Sequence, residues 1–160
     1  MSAMPNPAQN HPRLAEAGPQ RRHDWMLQLA AVVSARLAAP FAWGSNDCCL
    51  FAADCVHAIT GQDPAADLRG TYTTELGAGR VLQAHGGITG LACDRLGPVI
   101  RADLAQPGDV GLVWMVRRPT LAVCVGQHFM APGVCGLVVV PTNEVQRAWR
   151  CTKPVGVPHG

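Results

Sequence analysis

The sequence predicts an α+β fold: N-terminal helices, one of them buried and cysteine-bearing, packed on a small antiparallel β-sheet. Three observations predict it. Up to about residue 96 the apolar residues recur at helical spacing. From Pro107 onward they fall into short runs, VGLVWMVRR, TLAVCVGQ, HFMAP and GLVVVP, punctuated by Pro and Gly. Within the first regime lies DCCLFAADCVHAIT, apolar on nearly every side, which belongs in the middle of a fold rather than on its surface. Helices first and a strand meander afterwards is the order of an α+β domain.

Residues 1–21 contain four prolines and almost no aliphatic pattern, and are read as a flexible arm. Residues 22–151 form the domain and 152–160 a tail. Trp25, Leu29, Val32, Val33, Arg36 and Leu37 stand at helical spacing, with Asp24 placed to favour the helix start and Pro40 to stop it. A second helix is expected from about Asp47 to Thr60. Ser45, Asn46 or Asp47 is available as its cap, and Gly61 ends it. One or two helices follow, starting at Thr71 or Thr73 and broken at Gly86 and Gly87, with a short helix from Ile88 to Leu96. After the strands, TNEVQRAW is read as a closing helical turn. Trp114 and Trp149 are assigned to the core, Trp43 to packing near the second helix, and Asp109 to capping the turn into the first strand. Arg117 and Arg118 fall in a hairpin connection ahead of Pro119. Asp54 and Arg69 could pair, which the sequence leaves open.

Composition narrows the function classes. A net charge of +2 gives no field that would draw nucleic acid or acidic lipid. Twelve of the thirteen basic residues are Arg, which fits a GC-rich coding sequence better than a binding role. No apolar run approaches the roughly 20 residues of a membrane span, and the N-terminus lacks the apolar core of a signal peptide. The seven cysteines are an odd number and, with no signal peptide, are expected to stay reduced at a cytosolic site of synthesis. There is no C-x-x-C or H-x-x-x-H spacing, and Cys48 and Cys55 are separated by about 10 Å of helix, so neither a metal nor another cofactor is expected.

The chemistry concentrates at SNDCCL. A cysteine in the first helical turn faces unpaired N–H groups and the positive dipole end, both of which favour thiolate. Cys48 stands there, whereas Cys49 points about 100° around the axis and suits packing. Free cysteine is also a common buried small hydrophobe, so position alone does not make Cys48 a nucleophile. Catalysis would also need a base and an oxyanion site. His57, nine residues on, is about 13 Å along the helix and cannot supply the base. His85 stands at a helix end. His128, among the strands expected to pack on the second helix, is the candidate.

These residues resemble a known superfamily. PFAWGSNDCCLFAADCV is similar to the nucleophile motif of NlpC-type cell-wall cysteine peptidases, Y-x-W-G-G…D-C-S-G-L-V, with Trp43, Gly44, Asp47 and Cys48 in the matching places. QPGDVGLV resembles that family's P-G-D-L-V-F-F, through Pro107, Gly108 and Asp109. TLAVCVG resembles H-V-G-I-Y-L-G, and FMAPGV resembles F-I-H-A-P. The likeness spans roughly residues 25–150. It implies a papain-like fold in which Cys48 would attack stem-peptide amides of peptidoglycan, a strand His would act as base and a polar residue would orient it. The catalytic set is incomplete here, because the base position falls on Thr120 and the orienting position on Met130, and neither side chain does that work. His128 shares the strand face of Met130.

The stretch TGQDPAADLRGTY, with Asp63, Pro64, Arg69, Gly70 and Tyr72, is most similar to a branch of the superfamily encoded in tailed-phage and prophage tail modules. The resemblance implies a tail-tip structural or assembly component, made in the bacterial cytoplasm and carried in the virion tail, whose partners are other tail-tip and hub proteins. The alternative is an active hydrolase that cuts peptidoglycan stem peptides during phage entry, with Cys48 as nucleophile and His128 as base.

Overall fold

The computed structural model describes residues 20–152. The expected arm and tail otherwise lie outside the described residues. Four helices come first: α1 (Trp25–Arg36), α2 (Cys48–Thr60), α3 (Glu75–Ala84) and α4 (Gly87–Leu96). Five strands follow: β1 (Val110–Met115), β2 (Arg118–Cys124), β3 (His128–Gly133), β4 (Gly136–Pro141) and β5 (Arg147–Trp149). The strands form one antiparallel sheet in the order β4-β3-β2-β1-β5. The α+β architecture is thus the one the change of period predicts.

α2 forms where its local signals place it. Asp47 caps its start through a side-chain oxygen, and Gly61 ends it in the left-handed region at φ 78°. Its apolar surface packs on two sides. Phe51, Cys55 and Ile59, spaced at i, i+4 and i+8, join Val110, Leu112, Leu121 and Val123 of the sheet. Burial of Phe51 and Ile59 contributes about 1.5–3 kcal/mol each. Leu50 and Ala53 pack instead with Leu68, Tyr72, Ala78 and Leu91, the loop before α3 and the two helices beyond it. The opposite face of the sheet has its own core, built from Val113, Ala122, Cys124, Phe129, Ala131 and Val140.

The one acid inside α2 is neutralised by two arginines. Asp54 accepts from Arg36 of α1 at 2.7 Å and from Arg69 at 2.6 Å, and Arg69 also donates to Asp63 at 2.6 Å. The open question of an Asp54–Arg69 pair is therefore answered.

Several expectations need correction. TNEVQRAW is not a helical turn throughout: Thr142–Glu144 is a single 3-10 turn, and Arg147–Trp149 is β5, paired with Leu112 to Val110 of β1. α3 starts at Glu75, two residues beyond Thr73, with Thr74 as its cap, because the Thr74 hydroxyl accepts from the Gly77 N–H. Trp149 is fully buried, but Trp114 is 59% exposed. Trp114 lies near the hairpin end of β1, beyond the segment Val110–Leu112 that pairs with β5. Arg21 belongs to the packed domain rather than to an arm: it donates to the Pro107 carbonyl at 2.6 Å and stacks on Trp25.

Candidate functional site

The start of α2 is held by one carboxylate. Asp47 is 2% exposed and accepts three hydrogen bonds. Leu50 N–H donates to one oxygen at 2.9 Å. Gly44 N–H and the Tyr72 hydroxyl donate to the other, at 3.0 and 2.6 Å. The chain can turn this tightly because Gly44 has φ 80° and lies against Tyr72, where a Cβ would come within 2.2 Å of the carbonyl oxygen. Asn46, also buried, donates to the Pro40 carbonyl at 3.0 Å and accepts from Arg36 at 2.7 Å. The turn that presents Cys48 is therefore fixed by side chains from α1, α2 and the loop ahead of α3. Tyr72 is the only tyrosine in the chain. Its role escaped the sequence reading because a hydroxyl 25 residues away leaves no local pattern.

Cys48 is half-buried and unpaired in any disulfide. Its thiol is held below the ordinary cysteine range. The adjacent Cys49 thiol favours its anion most, and the Leu121 backbone N–H adds to this, which together outweigh burial and the nearby Asp47 charge. The same contact and its own burial push Cys49 well up, so the two adjacent thiols divide into an anion-favouring and a proton-holding member. Tyr72 is pushed up by burial and by its bond to Asp47, and remains a hydrogen-bond donor.

The Leu121 N–H is available because the sheet opens at that level. β2 and β3 pair only at Val123 with Met130 and Cys124 with Phe129. Cys124 N–H turns to β1, where it donates to the Asp109 carbonyl at 2.8 Å, and Val125 N–H turns to β3, where it donates to the His128 carbonyl at 2.9 Å. By alternation the Leu121 N–H also points to the β3 side. Continued from the two pairs, the register sets Pro132 at that level, and proline has no N–H with which to extend the ladder. The Leu121 N–H there is the one that acts on the Cys48 thiol.

The same register places the other candidate residues. Leu121 and Val123 face α2, so Thr120 faces the other side of the sheet with Ala122 and Cys124, where its hydroxyl donates weakly to the Arg118 carbonyl at 3.4 Å. The position matched to the base by resemblance thus points away from Cys48. Met130 lies on the α2 face, level with Val123, and is nearly buried. His128 shares that face but stands at the far end of β3, four residues from Pro132, or about 13 Å along the strand. Cys48 and His128 are therefore not brought together.

The remaining described histidines are no nearer. His57 is exposed further along α2. His85 closes α3 at the end opposite Glu75. His23 adjoins Arg22, which is bonded to Ile59 at the other end of α2.

Trp43 and Asp109 have supporting roles, as their positions suggest. Trp43 meets Phe41 edge-on at 4.7 Å and packs on the second cluster, and Arg118 lies over its ring at 5.2 Å. Asp109 caps the turn into β1 by accepting from Gln106 N–H at 2.8 Å. It is far more than a cap: fully buried, it also accepts from Cys151 N–H at 3.0 Å, Arg150 at 3.0 Å and Arg21 at 3.4 Å, joining the two ends of the domain. Among the described residues no three His, Cys, Asp or Glu side chains are grouped to hold a metal ion, and no helix is long and apolar enough to cross a membrane.

The profile of a protein family, a domain of unknown function designated DUF6950, matches residues 20–151. The chain belongs to that family. The matched segment runs from the residue before Arg21 to Cys151, the two ends that Asp109 ties together, so family and packed domain coincide. No curated protein and no solved structure gives a significant match to this DUF6950 chain.

Proposed function

We propose that this DUF6950 protein is a structural or assembly component of a phage tail tip, built on a peptidase-like frame that keeps the nucleophile position and lacks the base. The observation that carries the absence of catalysis is the set of groups acting on the Cys48 thiol: the Cys49 thiol, the Leu121 N–H and the Asp47 carboxylate, with no histidine among them. Amide cleavage needs a group that takes a proton and returns it to the leaving nitrogen. Asp47 is occupied by three donors, and no described histidine stands at that end of α2.

The tail setting rests on the resemblance of TGQDPAADLRGTY. That stretch has a physical task in this fold: Arg69 binds Asp54 of α2 and Tyr72 binds the α2 cap Asp47, while Asp63 holds the Arg69 guanidinium in place, bracing the helix from outside the sheet. Synthesis in the bacterial cytoplasm and residence in the virion tail, with tail-tip and hub proteins as partners, follow from the same reading.

A second reading is favoured by one observation, the depressed Cys48 thiol: a hydrolase acting on peptidoglycan stem peptides. The two readings separate in one experiment. A host deleted for the gene is complemented with wild type, Cys48→Ala or His128→Ala, and the purified proteins are incubated with muropeptides. The expected result is tail yield within about twofold of wild type for both variants, and no newly released amino termini with any protein. Release of amino termini that both substitutions abolish would establish the hydrolase and overturn the assembly reading.

A further inference from the structure

We propose that the tip of the β1–β2 hairpin is a docking finger for a partner protein that presents an apolar pocket rimmed by carboxylates. The hairpin closes through Val116 and Arg117, between the paired residues Met115 and Arg118. Both loop residues have positive φ, 47° and 63°. Such two-residue loops are ordinarily built from Asn-Gly or Asp-Gly, and a β-branched residue there is a conformational outlier. A loop needed only to reverse the chain has no use for valine in that conformation. A loop that must present a valine has. Val116 is 86% exposed and Trp114, two residues away, is 59% exposed.

The finger is held at its base. Arg118 donates to Glu75 of α3 at 2.9 Å and lies over Trp43, so the tip is braced against the turn that carries Cys48. Arg117 pairs with no carboxylate among the described residues. Exposed Trp and Arg beside an aliphatic apex is the composition of a binding hot spot, and the positive charge selects an acidic rim. The segments on either side of the described domain are nearly free of acids. Residues 1–19 carry one Arg and one Glu, and residues 153–160 carry Lys153 and no acid.

That the partner is a tail-tip protein rests on the reading above; the finger itself does not. The test places a photo-crosslinking amino acid at Val116 in the full chain, expressed in its own host, with the equally exposed Val134 as control site. The adducts are mapped by mass spectrometry, and the partner found is then titrated with wild type and with Val116→Asn/Arg117→Gly. The expected adduct at position 116 maps to a protein segment rich in Asp, Glu and aliphatic residues, and is absent from position 134. The double variant, given a relaxed loop, should melt at or above the wild-type temperature yet bind the partner at least tenfold more weakly. An adduct to lipid, nucleic acid or a second copy, no adduct, an equal adduct from position 134, or undiminished binding by the double variant would each overturn the proposal. An acidic, aliphatic segment in a protein outside any tail would support the finger and overturn the tail-tip reading alone.

Discussion

Asp47→Ala is expected to destabilise the domain by about 2–4 kcal/mol and to lower its melting temperature by roughly 10 °C. The carboxylate does two jobs at once. As the α2 cap it satisfies the Leu50 N–H, worth about 1 kcal/mol. Its second oxygen is the acceptor for the Tyr72 hydroxyl and the Gly44 N–H. Alanine leaves that buried hydroxyl without a partner, which costs a further 1–3 kcal/mol or so. Asp47→Asn keeps one acceptor oxygen and should fall about midway. Thermal unfolding of the three proteins measures this, and a loss under about 1 kcal/mol for alanine would mean that the cap is not what fixes the turn.

Asp109→Ala should cost about 3–5 kcal/mol, the range for removing one partner from a buried charged network. The residue is fully buried and serves Gln106, Arg21, Arg150 and Cys151 together. Its loss takes the shared acceptor from two guanidinium groups and from the Gln106 and Cys151 N–H groups, between the N-terminal and C-terminal ends of the domain. Because β5 is only three residues long and is followed at once by Arg150 and Cys151, it should be the first element to open. Urea unfolding reads the stability and amide exchange reads the strand. Protection at Ala148 that is unchanged in the variant would contradict the proposed link between the ends.

The parts of the fold that were legible in the sequence are those written locally. α2 could be bounded within a residue because a capping acid, an apolar run and a glycine all lie within one segment. β2, β3 and β4 could be told apart because Gly126 and Gly133 fall between or at the ends of their runs, whereas the break between β1 and β2 is at Val116 and Arg117, and Arg118 and Pro119, read as hairpin connection, are the first residues of β2. β5 could not: RAW is too short to show a period, and it becomes a strand only by pairing with β1, some 37 residues earlier in sequence. Trp114 and Trp149 look alike as sequence. Which of them is covered depends on the place each takes in the sheet, which strand pairing sets.

The site was legible to the same limit. Cys48, Gly44 and Asp47 stand where the motif suggests, since all three belong to one turn. Thr120 shows why the facing strand was harder. A shift of one residue moves every side chain of a strand to the other face, and the position matched by resemblance carries the wrong parity. His128 has the right parity, but the ladder register puts it at the wrong end of β3. Neither fact can be seen before β2 and β3 are aligned. The Leu121 N–H that supports the thiolate comes from an opening in that ladder, marked in the sequence only by Pro132.

The central claim is that Cys48 is a thiolate-prone cysteine with no histidine partner. Its alkylation rate as a function of pH, followed by peptide mapping in wild type and in His128→Ala, tests that claim most directly. The expected result is a single inflection below that of the same cysteine in the unfolded chain, superimposable in the two proteins. A second inflection in the histidine range that disappears in His128→Ala would show the two residues coupled, and the hydrolase reading would replace the one argued for this domain.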